Sequence, residues 1–213
     1  PIRAIRRKNI GEAILLSVFF KHHERLSITL PPNSPADFKS YTGWINFVKE
    51  KNLNVEFESG LKNDFSKLMS SSRFLITTSI AEGFGFSFIE PWCAKKIIWG
   101  RKLPEICRDF EKNGIDLGHL YSKFLIPVEW IGKDNLYQKW KSCIFRNCKL
   151  FKYNFNKLSL DHLFFDLVKN ETVDFGILNE PFQKLVISQV IRSNNRKKEL
   201  IRLNPHLSSV GIV

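Results

Sequence analysis

No apolar run among the 213 residues approaches the roughly 20 needed to cross a bilayer, so no membrane span is predicted. The opening stretch, Pro1-Ile2-Arg3-Ala4-Ile5-Arg6-Arg7-Lys8, is basic but has neither the apolar centre nor the cleavage site of a secretory leader. The chain therefore reads as cytoplasmic, and because it starts at Pro1 instead of a Met, the natural N-terminus is expected upstream. Cysteine is scarce, at positions 93, 107, 143 and 148. No Cys-x-x-Cys occurs, and Cys143 and Cys148 have no His or Cys partner at zinc-finger spacing. These are read as reduced, mostly buried thiols. His22, His23, His119, His162 and His206 form no ligand motif, so no metal site is expected. Internal repeats and low-complexity linkers are also lacking, and a hydrophobic fraction of 43% excludes disorder by composition.

Positive charge is what the chain has in excess: 33 basic against 21 acidic residues give +12. That balance favours anionic partners, whether phosphates, nucleic acid or an acidic membrane face. No nucleic-acid-binding motif accompanies it, so nucleic acid is not an expected partner. Small basic clusters stand at Arg6-Arg7-Lys8 and Arg196-Lys197-Lys198, and most of the charge reads as solvated surface.

Helical patterns alternate with short β-rich runs through the first two-thirds. Ile10 to Phe20 has helical spacing, and Leu26 to Leu30 reads as a strand stopped by Pro31-Pro32. Asp37 is placed to cap a helix carrying Phe38, Tyr41, Ile45 and Val48. Val55 to Glu58 is a short strand, Asn63 or Asp64 opens a short helix, and Phe74 to Thr78 is a strong strand. Phe86 to Ala94 is predicted as a helix and Ile97 to Trp99 as a strand. Such alternation implies βαβ units, a parallel sheet and helices on both faces. Ligands bind such sheets outside the carboxyl ends of the strands, which singles out the loops after Leu30, Glu58 and Thr78. Leu125 to Val128 could add a strand. Helices are then predicted over Asn135 to Phe145, Leu158 to Lys169 and Asn179 to Arg192, with an irregular end from Asn204 to Val213. The division is a Rossmann-like domain over 1–130 and a mainly helical C-terminal extension over 131–213.

Chemistry concentrates in Thr77-Thr78-Ser79-Ile80-Ala81-Glu82-Gly83-Phe84-Gly85-Phe86-Ser87-Phe88-Ile89-Glu90. A strand runs into a Gly-x-Gly turn that opens a helix. Glycines permit close backbone approach to a ligand, and free N–H groups at a helix start suit an anion such as phosphate. Glu82 and Glu90 flank the turn, and carboxylates are natural partners for paired sugar hydroxyls.

These residues resemble the signature of retaining GT-B glycosyltransferases of the glycogen-synthase and sucrose-synthase-like superfamily: a Glu, seven residues, a second Glu, and Gly-Phe-Gly directly after the first. Glu82-Gly83-Phe84-Gly85 and Glu90 match it. Arg3 and Lys8 look like the superfamily's Arg/Lys pair, and Leu103-Pro104-Glu105-Ile106 like its hydrophobic-Pro-Glu-hydrophobic loop. The resemblance covers about residues 2–110 and implies the donor-binding half of a two-domain hexosyltransferase. That enzyme would use a nucleotide-diphosphate sugar as substrate, retain anomeric configuration and need no metal or other cofactor.

The resemblance also implies roles. Arg3 and Lys8 would hold the diphosphate and neutralise charge on the leaving nucleotide. Glu82 would bind hydroxyls of the transferred sugar, the backbone of Gly83, Phe84, Gly85 and Phe86 would contact sugar and phosphate, and Glu90 would hold the ribose. Ser59, Gly60 and Leu61 would meet the base, and Ser79 would shape the turn. Glu105 is open between a site role and a structural loop.

The sequence departs from the pattern at Pro91-Trp92, at Lys95-Lys96, where a Gly helix stop is common, and at Gly100-Arg101-Lys102-Leu103. An N-terminal acceptor domain is expected from the rest of a longer chain or from another polypeptide, and a peripheral membrane or acidic acceptor is compatible with the charge. The alternatives are a non-catalytic nucleotide-sugar-binding or scaffolding module and a GT-B epimerase.

Overall fold

The computed structural model describes residues 3–153 and 157–209. Helix α1 (Ile10–Ser17) is buried from Ile10 through Leu16, as befits a helix that is apolar nearly all round. It ends before the expected Phe20, and the Ser17 hydroxyl donates back to the Ile14 carbonyl at 2.8 Å, a local bond that competes with helix continuation. Strand β1 (Leu26–Ile28) follows. Helix α2 (Pro35–Glu50) then turns Tyr41, Trp44, Phe47 and Val48 into the core. Asp37 does not cap α2. The helix starts earlier, with Pro35 in its first turn, where a missing N–H breaks no bond.

Strand β2 (Val55–Phe57) pairs in parallel with β1, from Leu26↔Val55 to Ile28↔Phe57. Two short helices follow, α3 (Ser59–Lys62) and α4 (Phe65–Ser71), and Asp64 caps α4 by accepting from the Lys67 N–H at 3.1 Å. The chain then enters β3 (Phe74–Thr77).

The helix expected from Phe86 to Ala94 is broken. A 3-10 turn covers Phe86–Phe88, and the four-residue α5 (Glu90–Cys93) starts afresh with Pro91 in its first turn. Proline cannot donate to the preceding turn, so Glu90 opens a helix instead of lying two turns inside one. Strand β4 (Ile97–Gly100) pairs in parallel with β3, from Phe74↔Ile97 to Thr77↔Gly100. Leu103-Pro104-Glu105-Ile106, expected as a loop, opens helix α6 (Pro104–Lys112) with Pro104 in the first turn.

Strand β5 (Leu125–Pro127) leads through helices α7 (Lys133–Leu150) and α8 (Lys157–Leu167) to β6 (Thr172–Asp174), its antiparallel partner. The sequence reading missed β6, because three residues with one apolar side chain show no usable period. Helices α9 (Glu180–Arg192), α10 (Asn194–Leu203) and α11 (His206–Ser209) complete the described chain. Part of the expected irregular end is thus helical, and 210–213 lie outside the described residues.

The result is α/β, with two small parallel sheets. Single parallel bridges also join Arg3 to Leu30 and Arg101 to Tyr121. One core includes Ile14 and Leu15 of α1, Trp44, Trp99, Phe124 and Phe175, with Val186, Ile187 and Val190 of α9. Each such large apolar side chain contributes about 1.5–3 kcal/mol by leaving water. A smaller cluster of Phe88, Ile98, Cys107, Leu117 and Leu120 anchors the segment that follows the glycine turn.

Candidate functional site

Two segments far apart in sequence build the site. The first is the basic 3-10 turn Arg6–Lys8. It is anchored behind by Asn9, whose backbone is left-handed at φ 50°. Asn9 donates to Glu12 at 2.9 Å and accepts from Gln183 Nε2 at 2.8 Å. The second is the loop leaving β3. The Thr78 hydroxyl donates to the Lys8 carbonyl at 2.9 Å, and the Ile80 N–H donates to the Arg7 carbonyl at 2.9 Å. These two bonds clamp the basic turn against the carboxyl end of β3.

Glu82 is the meeting point. Its carboxylate accepts from Lys8 Nζ, from Ser79 Oγ at 2.7 Å and from Arg7 Nη1 at 2.8 Å. The Glu82 and Lys8 side chains keep only 9% and 14% of their exposure, so the pair is screened far less than a surface pair. Burial pushes the Glu82 carboxyl up, but the hydrogen bonds from Lys8 and Ser79 and the charges of Lys8 and Arg7 outweigh it. They hold Glu82 below the usual carboxylate range.

The glycines of the turn divide their roles. Gly85 has φ 73°, and a Cβ there would overlap Ile106, so both its conformation and its packing demand glycine. Gly83 has no neighbour within 4 Å of where its Cβ would stand, leaving open space on the ligand side. Among the described residues, the N–H groups of Gly83, Phe84, Gly85 and Phe86 donate to no protein acceptor. Four free donors beside a lysine and an arginine make a cradle for an anion. The expected helix dipole adds little, because only a three-residue 3-10 turn follows. Phe84 and Phe86 are exposed and stack with centroids 6.0 Å apart.

A cleft of about 1620 Å³ opens over this loop, larger than the roughly 300–1,000 Å³ typical of a small-molecule pocket. Lys8, Ser79, Glu82, the turn from Gly83 to Phe86, and Glu90 all line it. The other expected site residues lie apart from that lining. Arg3 is exposed and its guanidinium reaches the Pro31 carbonyl at 3.4 Å. Ser59 is buried in α3, Gly60 donates to the Thr29 carbonyl at 3.0 Å, and Leu61 is exposed. Glu105 sits exposed in the first turn of α6. Sequence reasoning missed Arg7 and Thr78. Arg7 was visible only as the middle of a basic cluster, and nothing in the sequence showed that Thr78 would reach the Lys8 carbonyl.

Among the described residues, no helix is long and apolar enough to cross a membrane. No family model matches the chain, and no solved structure matches it. In an alignment 207 residues long that covers 94% of the chain, it is 27% identical to the mannosylglucosyl-3-phosphoglycerate synthase of Petrotoga mobilis, and it spans 39% of that protein.

Proposed function

We propose that the Glu82 cleft binds a nucleotide-diphosphate sugar and that the chain is the donor half of a retaining, metal-independent hexosyltransferase of the GT-B type. The observation that carries the reading is the convergence of Lys8, Arg7 and Ser79 on Glu82 beside four free backbone donors. In this reading the diphosphate lies against Lys8, Arg7 and the N–H groups of the glycine turn. These cations and dipoles stabilise charge as it grows on the departing nucleotide. As Lys8 turns to the phosphate, Glu82 is freed to accept hydroxyls of the transferred sugar, and Glu90 takes the ribose hydroxyls from the same cleft. Ser79 keeps the Glu82 carboxylate oriented throughout.

The similarity to a mannosylglucosyl-3-phosphoglycerate synthase supports glycosyl transfer, and the name of that relative describes a product bearing hexoses on a phosphorylated acid. An anionic acceptor of this kind suits a chain of net charge +12. In the same proposal an acceptor half is supplied from outside this chain, which spans 39% of that relative.

Calorimetric titration with UDP-, GDP- and ADP-hexoses tests the reading. One nucleotide should bind saturably. Lys8→Ala should weaken it by about tenfold to a hundredfold, the worth of a hydrogen bond to a charged group, and Glu90→Ala by about tenfold. A natively folded chain that takes up none of the three would overturn the donor-site assignment.

A further inference from the structure

Helix α7 and the turn after it are strongly lopsided in charge. Between 133 and 153 stand Lys133, Lys139, Lys141, Arg146, Lys149 and Lys152 against a single acidic residue, Asp134. The helix runs 18 residues yet buries only Leu136. Its inner side is held by rings: Tyr137 and Trp140 pack on Phe164 of α8 at 5.0 and 5.6 Å, and the Tyr137 hydroxyl donates to Asp161 at 2.6 Å.

The outer side carries Phe145, 45% exposed, with Lys141 and Lys149 one turn away on either side. Lys141 Nζ lies 6.0 Å from the Phe145 ring. Leu150, the last residue of the helix, is 69% exposed, and Phe151 just past it is 81% exposed. Isolated exposed apolar residues are ordinary, but here they sit among six cations against one acidic residue over 133–153.

We propose that the outer face of α7, with Leu150 and Phe151 at its end, docks on an anionic lipid surface. The cations meet lipid phosphates and carboxylates, and the apolar side chains enter the boundary between headgroups and acyl chains. The shape selects this partner over single-stranded nucleic acid. A nucleic-acid strand is usually tracked by a charged groove, whereas an outward-facing helix flank lies flat against a bilayer. The inference is independent of the donor cleft.

Co-sedimentation with phosphatidylcholine vesicles containing phosphatidylserine, against phosphatidylcholine alone, tests it at low and high salt. The chain should pellet with the anionic vesicles only, and salt should release it. The triple variant K139E/R146E/K149E should lose binding, at roughly fivefold per residue from about 1 kcal/mol for each cation at the surface. K112E/K123E/K198E makes the same change in net charge at exposed sites away from α7 and should still bind. Phe151→Ser should weaken binding without changing its salt dependence. Circular dichroism verifies that each variant is folded. Absence of binding at low salt, or equal loss in both triple variants, would overturn the proposal. So would capture of a single-stranded oligonucleotide through the same residues with no vesicle binding, which would reassign the face to nucleic acid.

Discussion

Lys8 and Glu82 show how one side chain can serve two partners. Among the protein's own groups Lys8 Nζ belongs to Glu82, and a bound phosphate would compete for it. A residue with a shifted charge state lies near the other end of the chain. His206 stacks on Tyr121 with ring centroids 4.0 Å apart. Burial, with the nearby Arg101 charge adding to it, lowers His206 from 6.5 to about 4. The folded state keeps this ring neutral where the unfolded chain already binds a proton. Stability should therefore fall as pH drops from about 6.5 to about 4 and change no further from this group below that. The check is the thermal midpoint across that window. His206→Gln should flatten the limb, and an unchanged slope would remove His206 as its source.

Elements here are punctuated by proline and by backbone strain. Pro35, Pro91 and Pro104 each stand in the first turn of a helix, where proline is tolerated best. At Pro91 this cuts a predicted helix in two and leaves the segment after Gly85 to be held by buried Phe88. The other end of α5 has no glycine. Lys95 takes the left-handed conformation at φ 53°, its N–H reaching the Trp92 carbonyl and the Lys96 N–H the Pro91 carbonyl, both at 2.9 Å. A side chain in that conformation is strained by about 1–2 kcal/mol, and glycine adds unfolded-state entropy that offsets part of the relief. Lys95→Gly should raise stability by about 0.5–1 kcal/mol in denaturant unfolding. A loss instead would mean that the Lys95 side chain makes a contribution the backbone geometry does not reveal.

The whole molecule is tied together by a buried ion network. Arg101, at the end of β4, donates to Glu12 of α1 at 2.7 and 3.0 Å and to Asp174 of β6 at 2.7 and 2.8 Å. Tyr121 adds a bond to Glu12 at 2.8 Å. Glu12 is fully buried, and that burial raises its carboxyl above the usual range despite Arg101. Removing one partner of such a group leaves charge buried without compensation. Arg101→Met should cost about 3–5 kcal/mol, read from urea unfolding. A cost under about 1 kcal/mol would mean that water or rearrangement replaces the network readily. The network and the packing of α1 on α9 join the 1–130 and 131–213 segments in one core.

Period and punctuation indicate alternating strands and helices, a short helix opening at Asn63 or Asp64, the helices α7, α8 and α9, and the loop after β3 as a candidate site. Those features depend on residues close together in the chain, so local spacing reports them. Glu82 and the glycine turn were legible for the same reason. What only tertiary structure decided was which distant groups meet them: Arg7 at the Glu82 carboxylate, Thr78 on the Lys8 carbonyl, and Arg101 between Glu12 and Asp174. The short strand β6 also belongs to that class, because its pairing with β5 spans over forty intervening residues. Local sequence carries the propensity of a segment, whereas the partner of a buried charge is set by the packing that removes its alternatives.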